Sequence, residues 1–112
     1  MITKTEIYND TVSGKKLTKE ITFYENGNIL REYYQLNNEL HREDGPAAIW
    51  YYEDSGIEAK SYCLNNRRHK VNGSALILYY EDGTIETKKY FLNGFEVKDP
   101  LQLLILETLE GE

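Results

Sequence analysis

One phrase recurs three times along this chain at a fixed interval of 28 residues, and no other property narrows the possible folds as far. The copies are F-Y-E-N-G-N-I (23–29), Y-Y-E-D-S-G-I (51–57) and Y-Y-E-D-G-T-I (79–85). The same interval carries Y-Q-L-N-N (34–38), Y-C-L-N-N (62–66) and Y-F-L-N-G (90–94), and relates H-R-E-D-G (41–45) to H-K-V-N-G (69–73). An N-terminal I-Y-N-D (7–10) followed by L-T-K-E-I-T (17–22) falls in register as a decayed half-unit. The 112 residues therefore form one repeat domain, with units at about 17–44, 45–72 and 73–99 and a C-terminal cap over 100–112.

The unit reads as β structure. Its segments are rich in Tyr, Ile and Thr, and they are separated by Asn-Gly, Asp-Gly and Asn-Asn pairs, which tolerate the positive φ of tight turns. One set of turns falls at Asn26-Gly27, near Asp54-Ser55-Gly56, and at Asp82-Gly83; a second falls at Asn37-Asn38, Asn65-Asn66 and Asn93-Gly94. Asp44-Gly45-Pro46 lies within the longer strand of its unit and predicts a bulge, because Pro removes a ladder donor. The expected fold is all-β, a curved, open antiparallel meander of about seven strands.

Parity then divides the side chains. With Asn26-Gly27 as a two-residue turn, Phe23 faces Leu30 and Tyr24 faces Ile29. One face carries Ile21, Ile49 and Ile77, with Phe23, Tyr51 and Tyr79, then Tyr34, Tyr62 and Tyr90 and Leu36, Leu64 and Leu92, a ladder of expected core positions. The other carries Tyr24, Tyr52 and Tyr80, Ile29, Ile57 and Ile85, and the unlike trio Thr22, Trp50 and Leu78. A position that accepts Thr, Trp or Leu is not fixed by the architecture. Trp50 is thus either an anchor for a partner or a plug against the C-terminal segment.

After residue 99 the repeat gives way to P-L-Q-L-L-I-L-E-T-L-E. Asp99 as N-cap and Pro100 at the first helical position favour a short capping helix with Leu101, Leu104 and Leu106 or Leu109 as its apolar side. The alternative is a further strand, since Ile105 stands 28 residues after Ile77. Either element would cover the last edge of the sheet.

Candidate chemistry is sparse. His41 and His69 sit one unit apart, about 9.6 Å across two strand spacings, too far to share a zinc; pairing across the Asn-Asn turns predicts ring packing on Tyr34 and Tyr62. Cys63 is the only cysteine, with Gln35 and Phe91 as counterparts, and reads as a tolerated small side chain. No nucleophile stands near a base and carboxylate, and no phosphate loop is present, so an enzyme, a cofactor and a metal are not expected. Thirteen basic against 19 acidic residues give a net charge of −6, which disfavours nonspecific binding to nucleic acid and anionic membranes and suits a partner with a basic surface. The N-terminus has no apolar core of a leader and no stretch is long enough to span a bilayer, so a cytoplasmic protein is expected.

The phrase Y-Y-E-D-G-x-I-x-x-x-x-Y-x-L-N-G, with L-H-R-E-D-G-P-A between copies, resembles the MORN-variant repeats of bacterial, phage and large-virus proteins, including YwqK-like antitoxin modules. The resemblance covers roughly residues 20–98 and implies a curved sheet used for protein contacts, in some relatives as the neutralising partner of a toxin, in a bacterial or phage-infected cell. The expected function is a non-catalytic module that sequesters or inhibits another protein, the alternative being a self-assembling homo-oligomer. The expected contact surface is Trp50 with Tyr52 and Tyr80, rimmed by Glu53, Asp54, Glu81 and Asp82; a basic turn at Arg67, Arg68 and Lys70 is the second candidate.

Overall fold

The computed structural model describes residues 2–9 and 16–111. The decayed half-unit supplies β1 (Ile2–Asn9) and β2 (Lys16–Phe23); the turn between them lies outside the described residues. Next come β3 (Ile29–Leu36), β4 (Glu39–Leu40), β5 (Ala48–Tyr51) and β6 (Ile57–Ser61), then β7 (Cys63–Leu64), β8 (Arg67–Arg68), β9 (Leu76–Tyr79) and β10 (Ile85–Lys89). The short β11 (Phe91–Leu92) and β12 (Phe95–Glu96) precede α1 (Pro100–Glu110). An eight-stranded, open and curved antiparallel sheet runs β1-β2-β3-β5-β6-β9-β10 with β4 beside β3; β7-β8 and β11-β12 are separate two-stranded ribbons.

The Asn-Asn turns form as expected. Asn37, Asn38, Asn65, Asn66, Asn93 and Gly94 all have φ between 50° and 88°, the two-residue hairpin geometry whose twist matches the strands. The other turns are one residue longer. Tyr24 N–H donates to Asn28 O and Gly27 N–H to Tyr24 O, with only Gly27 at positive φ, 90°. Each such hairpin then absorbs an extra residue on its returning strand, so Phe23 pairs with Ile29 but Thr22 with Arg31. The shift recurs at Tyr51↔Ile57 and Tyr79↔Ile85. This corrects the pairing expected from a two-residue turn: Ile29, Ile57 and Ile85 share the face of Phe23, Tyr51 and Tyr79, because paired residues point the same way.

The bulge belongs to Leu30, Glu58 and Glu86, not to Asp44-Gly45-Pro46. Residues 41–47 leave the sheet as a loop that closes on Arg42, whose Nε donates to Asp44 Oδ1 at 3.0 Å and Nη1 to Pro46 O at 3.2 Å. A Cβ on Gly45 would stand 2.8 Å from Arg42 Cζ, so glycine is what admits the guanidinium. That guanidinium lies 3.9 Å from the Tyr34 ring centre, and Lys70 Nζ lies 3.9 Å from the Tyr62 ring in the next unit.

Bonds between units explain the repeat. His41 Nδ1 accepts the Asn65 amide at 3.0 Å and His69 Nδ1 accepts the Asn93 amide at 2.9 Å, each histidine holding the turn of the following unit. Both rings are therefore hydrogen-bond acceptors toward the next turn, and the cations, not the histidines, stack on Tyr34 and Tyr62. The equivalent third position is Val97, buried against Tyr90 and Leu106 where no further turn follows. Tyr24 and Tyr52 likewise donate their hydroxyls to Tyr51 O at 2.6 Å and Tyr79 O at 2.7 Å, one unit on. Tyr80, with no unit after it, is 53 % exposed.

The face that carries Ile21, Ile49 and Ile77 is not a continuous apolar core. Its central row reads Lys4, Ile21, Glu32, Ile49, Lys60, Ile77, Lys88 across the sheet, and of the isoleucines only Ile21 is buried. Tyr51 donates its hydroxyl to Glu32 at 3.0 Å, and burial together with that carboxylate pushes its pKa up to about 12. The expected ladder overlooked that alternate strands put charges between the isoleucines.

The helix forms with Asp99 accepting the amides of Leu101 and Gln102 and Pro100 in the first turn. It docks on the same face, through Leu103 and Leu106 against Tyr90, Leu92 and Val97, whereas Leu101, Leu104 and Leu109 are exposed, contrary to the expected apolar side. Glu110 fixes its end: the carboxylate accepts the Ser74 hydroxyl and amide at 2.6 and 2.7 Å, the Tyr90 hydroxyl at 2.8 Å and Lys88 Nζ at 3.1 Å. The helix thus takes over Tyr90, the third tyrosine of the stack, instead of pairing along β10. Among the described residues, no helix is long and apolar enough to cross a membrane.

Candidate functional site

The opposite face breaks the repeat. Its rows are Thr3, Thr22, Arg31, Trp50, Ala59, Leu78, Thr87 and Thr5, Glu20, Tyr33, Ala48, Ser61, Leu76, Lys89. On the returning strand of the middle unit the positions are Ala59, Ser61 and Cys63; the first unit has Arg31, Tyr33 and Gln35 there, and the third has Thr87, Lys89 and Phe91. These small side chains are themselves buried and set a low floor between larger neighbours. An open groove of about 610 Å³ follows, with Ser61 and Cys63 in its lining, Trp50 and Leu40 on one side, and Arg67, Arg68, Phe91 and Phe95 on the other.

Trp50 is half-buried and meets Tyr33 edge to face, centroids 5.9 Å apart at 78°. It does not plug against the helix, which sits on the other face. Phe95 is 78 % exposed at the groove's far end. The Arg68 Nε donates to Ser61 Oγ at 3.2 Å while its guanidinium lies 5.5 Å from the Phe91 ring centre, so Arg68 is wall as well as charge. Arg67 is exposed, its stem running past Gly94, where a Cβ would be 3.5 Å away. Burial pushes the Cys63 thiol up, against the lowering effects of Ser61 and Arg68, and keeps it a small neutral floor residue.

The expected surface divides. Tyr52 shares the face of Trp50, but its hydroxyl is committed to Tyr79 O. Asp54 and Asp82 accept the amides two residues on, Gly56 and Thr84, at 3.0 and 2.9 Å, and thereby close their own turns. The Thr84 hydroxyl and amide hold the Asp82 carboxyl below its usual value. Glu53 and Glu81 are exposed beside them, with Tyr80, at the hairpin tips. Arg67 and Arg68 line the groove; Lys70 lies on the opposite side, over Tyr62. Phe95 and the small run Ala59, Ser61, Cys63 were not read from sequence as a binding surface, Cys63 being taken only as a tolerated small side chain with Phe91 as its counterpart, although comparing the returning strands at the 28-residue interval exposes the run.

Among the described residues, no three or more of His, Cys, Asp and Glu are grouped so as to hold a metal ion. No family model, no curated protein and no solved structure matches this chain.

Proposed function

We propose that this chain is a non-catalytic protein-binding module of the MORN-variant kind that captures another protein at the Trp50 groove, as an inhibitor or antitoxin would. The observation that carries it is local loss of the repeat. An array bound unit to unit by Tyr24, Tyr52, His41 and His69 substitutes three small residues at once on one strand, beside its only tryptophan. Aromatic anchors beside a concavity are the usual high-energy contacts of protein interfaces.

Selection from a displayed random-peptide library tests the reading. Ligands recovered on the native protein should lose at least tenfold in affinity on Trp50→Thr, which copies Thr22, and on Ser61→Tyr, which copies Tyr33 and fills the trough. Trp50→Thr should cost about 1 kcal/mol of stability for its lost contact with Tyr33. Ligands indifferent to both changes, or no ligand at all, would remove the groove from consideration. Self-assembly is the second reading, favoured by the unpaired outer sides of β1 and β10 among the described strands; a discrete oligomer on a sizing column would support it.

A further inference from the structure

Within a chain of net charge −6, the groove is lined without a single aspartate or glutamate and carries Arg67 and Arg68 at one end. Arg67 is in no ion pair among the described residues, nor is Arg68. A third cation, Arg31, pairs across the ladder with Trp50, and its buried Nε has no acceptor. The groove's charge is thus positive, with Trp50 and Phe95 supplying apolar contact.

We infer, building on the protein-binding reading above, that the groove recognises an extended peptide segment whose acidic end meets Arg67 and Arg68 and whose apolar residues lie against Trp50 and Phe95. The trough along a strand suits an extended segment, with side chains alternating into and out of it. Arginines with unused donors match carboxylates in paired geometry. Arg67 and Arg68, adjacent in sequence and the cations of the lining, match a short anionic run. Nucleic acid is the poorer fit, since a phosphate backbone carries charge along its whole length and meets a net-negative protein.

Trp50, as the sole tryptophan, reports occupancy through its own emission. The probes are a short synthetic peptide with Asp and Glu at one end and Phe and Leu in the remainder, its counterpart with Lys in place of the acids, the same composition with the acids spread evenly, and oligo-dT. The first should shift Trp50 emission saturably and bind at least tenfold more tightly than the other three, with affinity falling as salt rises. Arg67→Glu, on an exposed side chain, should weaken it at least tenfold at unchanged Tm, and Arg67→Lys should recover part of the loss. Equal or better binding of the lysine peptide or oligo-dT, no binding of the acidic peptide, or indifference to Arg67→Glu would overturn the inference. Trp50-dependent ligands of another composition in the displayed library would leave the protein-binding reading standing while this one falls; a library with no Trp50-dependent ligand would end both.

Discussion

Ser55 is the residue at which the chain departs furthest from what its own backbone asks. It occupies φ 79° where the equivalent positions are Gly27 and Gly83, both at 90°. A left-handed non-glycine residue costs about 1–2 kcal/mol through Cβ crowding, while glycine adds unfolded-state entropy in the other direction. Ser55→Gly should therefore stabilise the protein by about 0.5–1 kcal/mol, seen as a raised urea midpoint at unchanged slope. Gly83→Ala should destabilise by a comparable amount even though nothing lies within 4 Å of the added carbon. Positive-φ turns were legible in the sequence because Asn, Asp and Gly have few other reasons to cluster. The loop length was not, since Asn-Gly and Asp-Gly serve two- and three-residue hairpins alike, and that ambiguity moved Ile29, Ile57 and Ile85 to the other face.

At the scale of elements, the tyrosine hydroxyls and the helix latch carry separable consequences. Tyr24→Phe and Tyr52→Phe each remove a hydrogen bond to the following unit and should cost about 0.5–1.5 kcal/mol. Tyr80→Phe should cost nothing measurable by thermal melting, because no unit follows it. Equal effects at all three positions would deny the hydroxyls their coupling role. Docking of α1 should be pH-sensitive through Glu110. Burial would raise this carboxyl, but Ser74, Tyr90 and Lys88 outweigh it and hold its pKa at about 2, below the ordinary 4.5. A depressed carboxyl contributes its full stability above the ordinary value and loses it as pH falls toward the folded one. Helical signal by circular dichroism should accordingly fall between pH 4.5 and about 2 before the sheet melts, and Glu110→Gln should remove that separate step. The helix itself was legible from Asp99 and Pro100, whose roles are local. Its docked side was not, because Leu and Ile occupy six of its eleven positions in no single stripe, and Leu103 and Leu106 are chosen by Tyr90 and Val97 earlier in the chain.

For the whole molecule, the repeat period carried the architecture, since any 28-residue hairpin unit must stack on its copies to bury its flanks. The groove stayed hidden because it depends on differences between copies, and small residues such as Ala59 and Ser61 announce nothing singly. The same arrangement makes the array's length editable. The endings lie in β1 and in Val97 with α1, while the bonds from the first unit to the middle one, Tyr24 to Tyr51 and His41 to Asn65, recur from the middle unit to the third, Tyr52 to Tyr79 and His69 to Asn93. A tandem duplication of residues 45–72 joins Asn72 to a second Gly45, as Asp44 joins the first, and should yield a longer monomer with two troughs in register. Its valency toward a dimeric or immobilised ligand would double, and retention on a densely coated surface should lengthen by far more than twofold, as expected for linked sites. Excision of the same segment should leave a foldable, shorter array with no trough and no tryptophan, inert toward ligands of the native chain.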